Sequence, residues 1–169
     1  MKKNRKGLML VLSSPSGAGK TTICKEVLKK NKDLKMSISF TTRPKRKSEV
    51  DGKDYFFISE KKFKELQAKG FFIENANVFD HLYGTPKKFV EENLIKGVDV
   101  LFDIDWQGAQ KLSNFSKTDI VSVFILPPSN STLKERLKKR KSEVDGKDYF
   151  FISEKKFKEL QAKDFFIEN

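Results

Sequence analysis

Residues 13–22 of the chain read Ser-Ser-Pro-Ser-Gly-Ala-Gly-Lys-Thr-Thr and follow the apolar run Leu8-Met9-Leu10-Val11-Leu12. A buried strand, a glycine-bearing turn and a helix start, in that order, are what a phosphate-binding loop requires. Gly17 and Gly19 let the backbone curl so that successive N–H groups face one anion, and the dipole of the following helix adds to the same spot. Lys20 is placed to reach β- and γ-phosphates, and the Thr21 hydroxyl to sit on Mg²⁺. Ser14, Pro15, Ser16, Gly17, Ala18, Gly19, Lys20, Thr21 and Thr22 are therefore the candidate phosphate-binding residues, and the ligand class is a nucleoside triphosphate. Ser14 stands where the pattern G-x-x-x-x-G-K-[ST] has its first glycine; serine takes most turn geometries, so the departure weakens the pattern more than the structure.

A second group of chemically useful residues lies downstream. Ser37-Ile-Ser-Phe-Thr-Thr-Arg43-Pro-Lys-Arg46 sets two arginines three apart behind a hydroxyl cluster. Guanidinium forks suit a phosphate that must be held at a fixed angle. Tyr55, Tyr83 and Thr85 add neutral donors, and Glu74 is an acceptor for the N–H groups of a base. Asp103 closes the apolar run Val98–Asp103, where a Walker-B acid would orient Mg²⁺ through water; the plainer alternative is a helix N-cap. His81 reads as a loop or packing residue, and Cys24 as a small buried apolar one with no histidine near it.

Taken together, in order and spacing, these segments resemble the guanylate kinase family from about Leu8 to Arg140. The resemblance implies a reaction, ATP + GMP → ADP + GDP, with Mg²⁺ accompanying ATP. It also implies roles. Arg43, Arg46, Tyr55 and Tyr83 would bind the GMP phosphate, and Ser39, Glu74, Thr85 and Asp105 would line the guanine pocket. Guanine's N1–H and N2–H₂ groups donate, so Glu74 and Asp105 are complementary acceptors that adenine would leave unpaired. Thr21 and, through water, Asp103 would serve the metal. Lys20, Arg43, Arg136 and Arg140 would share the charge that develops during transfer, Arg136 and Arg140 from the first half of a lid that follows Pro127-Pro128 in the family.

The bulk numbers agree with small anionic ligands. A formal charge of +12 over 169 residues suits them. The lysines are scattered among acids without a long basic block or an RNA-binding aromatic motif, which makes nucleic acid an unlikely partner. No apolar stretch approaches the roughly 20 residues of a membrane span, and the basic N-terminus is followed too soon by the glycine loop to be a signal peptide. One cysteine and no internal disulfide point to a reducing, cytoplasmic setting.

The elements that must position these residues follow from periodicity. Helices are expected over Lys20–Lys30, from a Ser59 cap through Lys69 to Gly70, from Thr85-Pro86 to Gly97 with proline at the first helical position, and over Ser131–Arg140. Strands are expected at Leu8–Leu12, Met36–Phe40, Asp54–Ile58, Phe71–Val78, Val98–Asp103 and Ile120–Leu126. Alternation at both ends of the stretch argues for an α/β fold: a P-loop parallel sheet flanked by helices, with an inserted β-rich GMP-binding lobe. The expected division is 1–36 and 86–128 for the P-loop core, 37–85 for the lobe, 129–140 for a partial lid, and 141–169 for a second copy of 47–75.

That second copy is the chain's most unusual feature. Lys45–Asn75 recurs as Lys139–Asn169 at an offset of 94, with 30 of 31 positions identical and only Gly70 against Asp164 differing. Solenoid repeats diverge, so this near-identity marks a duplication in the gene or an error of sequence. Asp164 would cost on the order of 1 kcal/mol at a position where Gly70 turns left-handed. Arg140, Tyr149 and Glu168 echo Arg46, Tyr55 and Glu74, but nothing echoes Arg43 or Tyr83, so the copy makes no second GMP site. By resemblance the copy occupies the place of a further lid arginine, a long helix, the last core strand and the adenine contacts, so the C-terminal part of the core is expected to be missing. The expected consequences are weak GMP binding, low stability, little turnover and a tendency to self-association. The competing readings are a non-catalytic guanylate-kinase-like interaction module, another nucleoside monophosphate kinase and a non-functional gene remnant. A scaffold module has no need of Lys20-Thr21 or of the phosphate-binding arginines.

Overall fold

The computed structural model describes residues 5–14, 17–78, 80–127, 129, 131, 132 and 135. Pro15 and Ser16, most of the lid segment with Arg136 and Arg140, and the whole of 141–169 lie outside the described residues, and with them the expected helix over Ser131–Arg140 beyond its first residues.

Two sheets organise the described chain. The first is parallel throughout, in the order β2-β7-β1-β8: β1 (Met9–Ser13), β2 (Lys35–Ser37), β7 (Val100–Asp103) and β8 (Ile120–Phe124). Parallel strands need crossovers and are covered on both faces, and the side-chain alternation in β1 and β7 meets that demand. Met9, Val11, Val100 and Phe102 point to one face, under α3 (Lys87–Ile95) and α4 (Trp106–Phe115), where they pack with Val90, Leu94, Ala109 and Leu112. Leu12 and Leu101 point to the other, under Cys24, Val27 and Leu28 of α1 (Lys20–Lys30). Phe102 is fully buried, a contribution of about 1.5–3 kcal/mol for its side chain.

The second sheet is mixed, in the order β4-β3-β6-β5: β3 (Phe40–Thr41), β4 (Phe56–Phe57), β5 (Phe72–Val78) and β6 (His81–Pro86). Its core is aromatic. Phe40 stacks on Phe56 with centroids 4.6 Å apart, and Phe63, from α2 (Glu60–Ala68), stacks on Phe72 at 4.5 Å. Gly84 of β6 has to lack a side chain, since a Cβ there would lie 2.8 Å from the Phe72 ring.

The expected elements need adjusting in several places, and β6 (His81–Pro86) is a strand additional to those expected. The strand expected over Met36–Phe40 is two: β2 belongs to the first sheet and β3 to the second, and the chain changes sheets across Ile38 and Ser39. The strand expected over Asp54–Ile58 is only β4, because the preceding residues form a turn. Pro86 is the N-cap of α3 rather than its first residue, because Thr85 and Pro86 finish β6 against β5. Helix α4 is additional to the expected helices. Its cap is Asp105, whose Oδ1 accepts from Gly108 N at 2.9 Å, so Asp103 ends β7 and caps nothing. The α2 boundaries match the expectation: Ser59 Oγ accepts from Lys62 N, and Gly70 follows with φ of 66°.

Candidate active site

The first cluster forms where β1 and β7 end side by side, Leu12 opposite Asp103. Crevices beyond the carboxyl ends of parallel strands are where such sheets bind ligands. The loop leaves β1 here, and Gly17 and Gly19 take φ of 83° and 98°, which glycine enters cheaply. Gly19 is the N-cap of α1 and offers no side-chain cap, and the first turn of α1 holds no acid. The helix therefore presents bare N–H groups and an uncompensated positive dipole end.

Asp103 gathers the reactive side chains of that loop. Lys20 Nζ lies 2.8 Å from Asp103 Oδ1 and donates to the Ile104 carbonyl at 2.7 Å, while Thr21 Oγ1 donates to Asp103 Oδ2 at 3.0 Å. The expected phosphate ligand Lys20, the hydroxyl Thr21 and the acid Asp103 thus meet at one point. Thr22 is exposed and Ala18 is buried.

The second cluster lies on the mixed sheet. Arg43 Nη2 pairs with Glu49 Oε1 at 2.7 Å, and Arg43 Nη1 donates to the Pro44 carbonyl at 2.8 Å. The guanidinium sits 5.5 Å from the Tyr55 ring and 5.8 Å from the Phe57 ring, cation–π range for both. Tyr83 lies near Arg43 and favours its charged form, and its ring meets the Tyr55 ring edge-on at 6.0 Å. Burial opposes the Arg43 charge; the Glu49 and Tyr83 contacts outweigh it and leave the guanidinium above its ordinary pKa. Burial likewise pushes the Tyr55 phenol up, aided by the negative charge of Asp103. Tyr55 therefore keeps its O–H as a donor. Lys25 of α1 and Asp54, 3.6 Å apart, bridge the two regions. Arg46 is exposed, and its backbone N–H donates to Glu49 Oε2 at 2.8 Å.

The third cluster is buried between β5, β6 and α4. Thr85 Oγ1 donates to Glu74 Oε1 at 2.5 Å, and both residues are at most 5% exposed. Burial raises the Glu74 carboxyl to about 7, further raised by Asp105 and partly offset by the Thr85 hydrogen bond. Burial also raises Asp105, against the Gly108 N–H that it accepts. Gly108 brings the two acids together: its N–H holds Asp105, and a Cβ on it would fall 2.9 Å from Glu74 Oε2. Ser39 is buried where the chain changes sheets, its carbonyl accepting from Phe56 N at 2.9 Å.

Sequence reasoning misses Glu49 and Gly108. Glu49 stands six residues after Arg43 and three after Arg46 in one turn-rich stretch, which is a weak signal. Gly108 stands out only once α4 is recognised. Cys24 is buried as expected, and burial pushes its thiol up to about 12, so it is no nucleophile.

Comparison with known proteins bears on the whole arrangement. The guanylate kinase family profile matches residues 6–143. A guanylate kinase of Paramagnetospirillum magneticum is 54% identical over 142 residues, 84% of this chain and 66% of that protein. One from the Wolbachia of Brugia malayi is 48% identical over 158 residues, 94% of this chain and 80% of that protein. The crystal structure of guanylate kinase from Anaplasma phagocytophilum superposes with a TM-score of 0.70 at 37% identity, covering 95% of this chain and 84% of that one. The chain spans 61–66% of the length of five curated relatives it matches. The sequence likeness to the Wolbachia protein spans 158 residues, more than the stretch from Leu8 to Arg140 over which the residue patterns carry it. A phosphate loop on a parallel sheet, an arginine–tyrosine cluster and a family profile over most of the residues lead to one conclusion: the chain belongs to the guanylate kinase family.

Proposed function

We propose that the protein transfers the γ-phosphoryl group of ATP to GMP, giving ADP and GDP. The observation that carries this reading is the Lys25–Asp54 ion pair at 3.6 Å, which sets helix α1, behind the glycine loop, against the turn before Tyr55, whose ring lies 5.5 Å from the Arg43 guanidinium. Phosphoryl transfer needs little covalent help from a protein; it needs two phosphates in line and their charge neutralised.

The residues take the following parts. The N–H groups of the loop and of α1 cradle the ATP phosphates, and Lys20 exchanges Asp103 for them. Thr21 and Asp103 are hard oxygen donors 3.0 Å apart, a set that fits Mg²⁺, which takes few protein ligands and retains water. Bound there with ATP, Mg²⁺ would supply positive charge against the phosphates. Among the described residues no group of three or more His, Cys, Asp or Glu side chains is placed to hold a metal. Arg43, Arg46, Tyr55 and Tyr83 hold the GMP phosphate, and residues 37–85 form the lobe that carries it. Glu74 and Asp105 accept from guanine, with Thr85 orienting Glu74 and Ser39 at the pocket's edge. By the family resemblance, Arg136 and Arg140, which lie outside the described residues, would share the charge of the transferring group. No described helix is long and apolar enough to cross a membrane.

Titration with GMP, AMP and dTMP tests the reading. GMP is expected to bind at least 100-fold more tightly than AMP, because adenine would leave buried acceptors unpaired. Equal affinity for GMP and AMP would contradict it.

A further inference from the structure

We infer that Glu49 is the positioning residue of the acceptor-phosphate site, a single carboxylate that sets both Arg43 and Arg46. The inference rests on the proposal that GMP binds at this cluster.

The geometry is specific to two oxygens. Glu49 Oε1 accepts from the Arg43 guanidinium at 2.7 Å, and Oε2 accepts from the Arg46 backbone N–H at 2.8 Å. The Glu49 N–H returns to the Arg46 carbonyl at 3.1 Å and closes the turn. Both side chains of the Arg43–Glu49 pair are 13% exposed, so water competes poorly for the contact. Arginine has five N–H donors in a rigid fork. Glu49 and the Pro44 carbonyl take one each on Nη2 and Nη1, leaving donors for a phosphate. Fixing two corners of the fork fixes the direction of the rest. The backbone bond to Arg46 does the same for the Cα from which the second arginine side chain leaves. Without Glu49, Arg43 would keep its charge and its ring contacts but lose its orientation, and bidentate recognition depends on orientation.

Glutamine has one acceptor oxygen where Glu49 uses two, so Glu49→Gln can serve Arg43 or the Arg46 N–H but not both. Glu49→Asp keeps the charge and falls one methylene short. The test is calorimetric binding of GMP, of guanosine and of ATP to the full chain and to both variants, with thermal midpoints measured alongside. Guanosine shares the base and lacks the phosphate. The expected result is that GMP weakens at least fivefold in whichever variant folds, while guanosine and ATP change less than twofold. A GMP loss under fivefold, a tighter GMP complex, or a loss shared by guanosine or ATP would overturn the inference. Failure of the wild-type chain to bind GMP would instead overturn the reading of the site on which it rests.

Discussion

The parallel sheet and the mixed sheet hold their ligand-facing groups by different means. On the parallel sheet the proposed anion site is made mainly of backbone: two left-handed glycines and the start of α1, with Lys20 and Thr21 on its first turn. Its position follows from strands buried on both faces. On the mixed sheet the strands are as short as two residues, and the site is made of side chains fixed by other side chains: Arg43 by Glu49, Glu74 by Thr85, Tyr55 by Tyr83. A backbone site tolerates change in the side chains around it. A side-chain site transmits any loss of a partner directly to the ligand.

That contrast sets the order of expected effects. Lys20→Ala removes a side-chain charge from the backbone site and should lower kcat by about 10²–10³-fold, the scale for losing one group that stabilises transition-state charge, with GMP affinity kept; steady-state kinetics beside GMP titration checks both. Phe63→Ala empties the centre of the aromatic lobe, where Phe63 is fully buried. A loss of about 3–5 kcal/mol is expected, read as a lowered denaturant midpoint.

Glu74 gives a pH signature. Its carboxyl is raised to about 7 by burial, so in the unliganded protein its contribution to stability is present below the unfolded value of 4.5 and lost as pH rises through 7. Guanine donors favour the ionised form, so GMP binding at pH 7 should release about half a proton from this group. Calorimetry in buffers of different ionisation heat measures that release, and Glu74→Gln should remove it. The smallest effect is expected at Gly108. Its substitution by alanine gains up to about 1 kcal/mol of helix propensity, offset by the contact of the new methyl with buried Glu74 Oε2 at 2.9 Å, and should weaken GMP severalfold through the displaced carboxylate. A thermal midpoint close to that of the parent chain with weakened GMP would bear out the contrast; unchanged GMP affinity would break it.

The same contrast governs how much of the molecule is legible in its residues. The phosphate loop can be located from sequence because its chemistry is local: strand, glycines, lysine and helix follow one another in ten residues. Asp103 is marked by its position at a strand end. The lobe is harder to read. Its breaks at Ile38 and Ser39 are set by which sheet each short strand joins, and Pro86 yields the helix start to a strand because Thr85 must meet Glu74. Helix α4 escapes notice when its cap, Asp105, is assigned only to ligand binding, although an N-cap carboxylate commits one oxygen and leaves the other. The Glu49 contacts span a turn whose closure no periodicity announces.

The central claim is that a phosphoryl group crosses from the backbone site to the side-chain site. The most direct measurement is to incubate the purified chain with ATP labelled in its γ-phosphoryl group, with Mg²⁺ and GMP, and to follow where the label goes. The account expects the label in GDP, with one ADP formed per GDP and no transfer when AMP replaces GMP. Label recovered only as unreacted ATP or as free phosphate would contradict it.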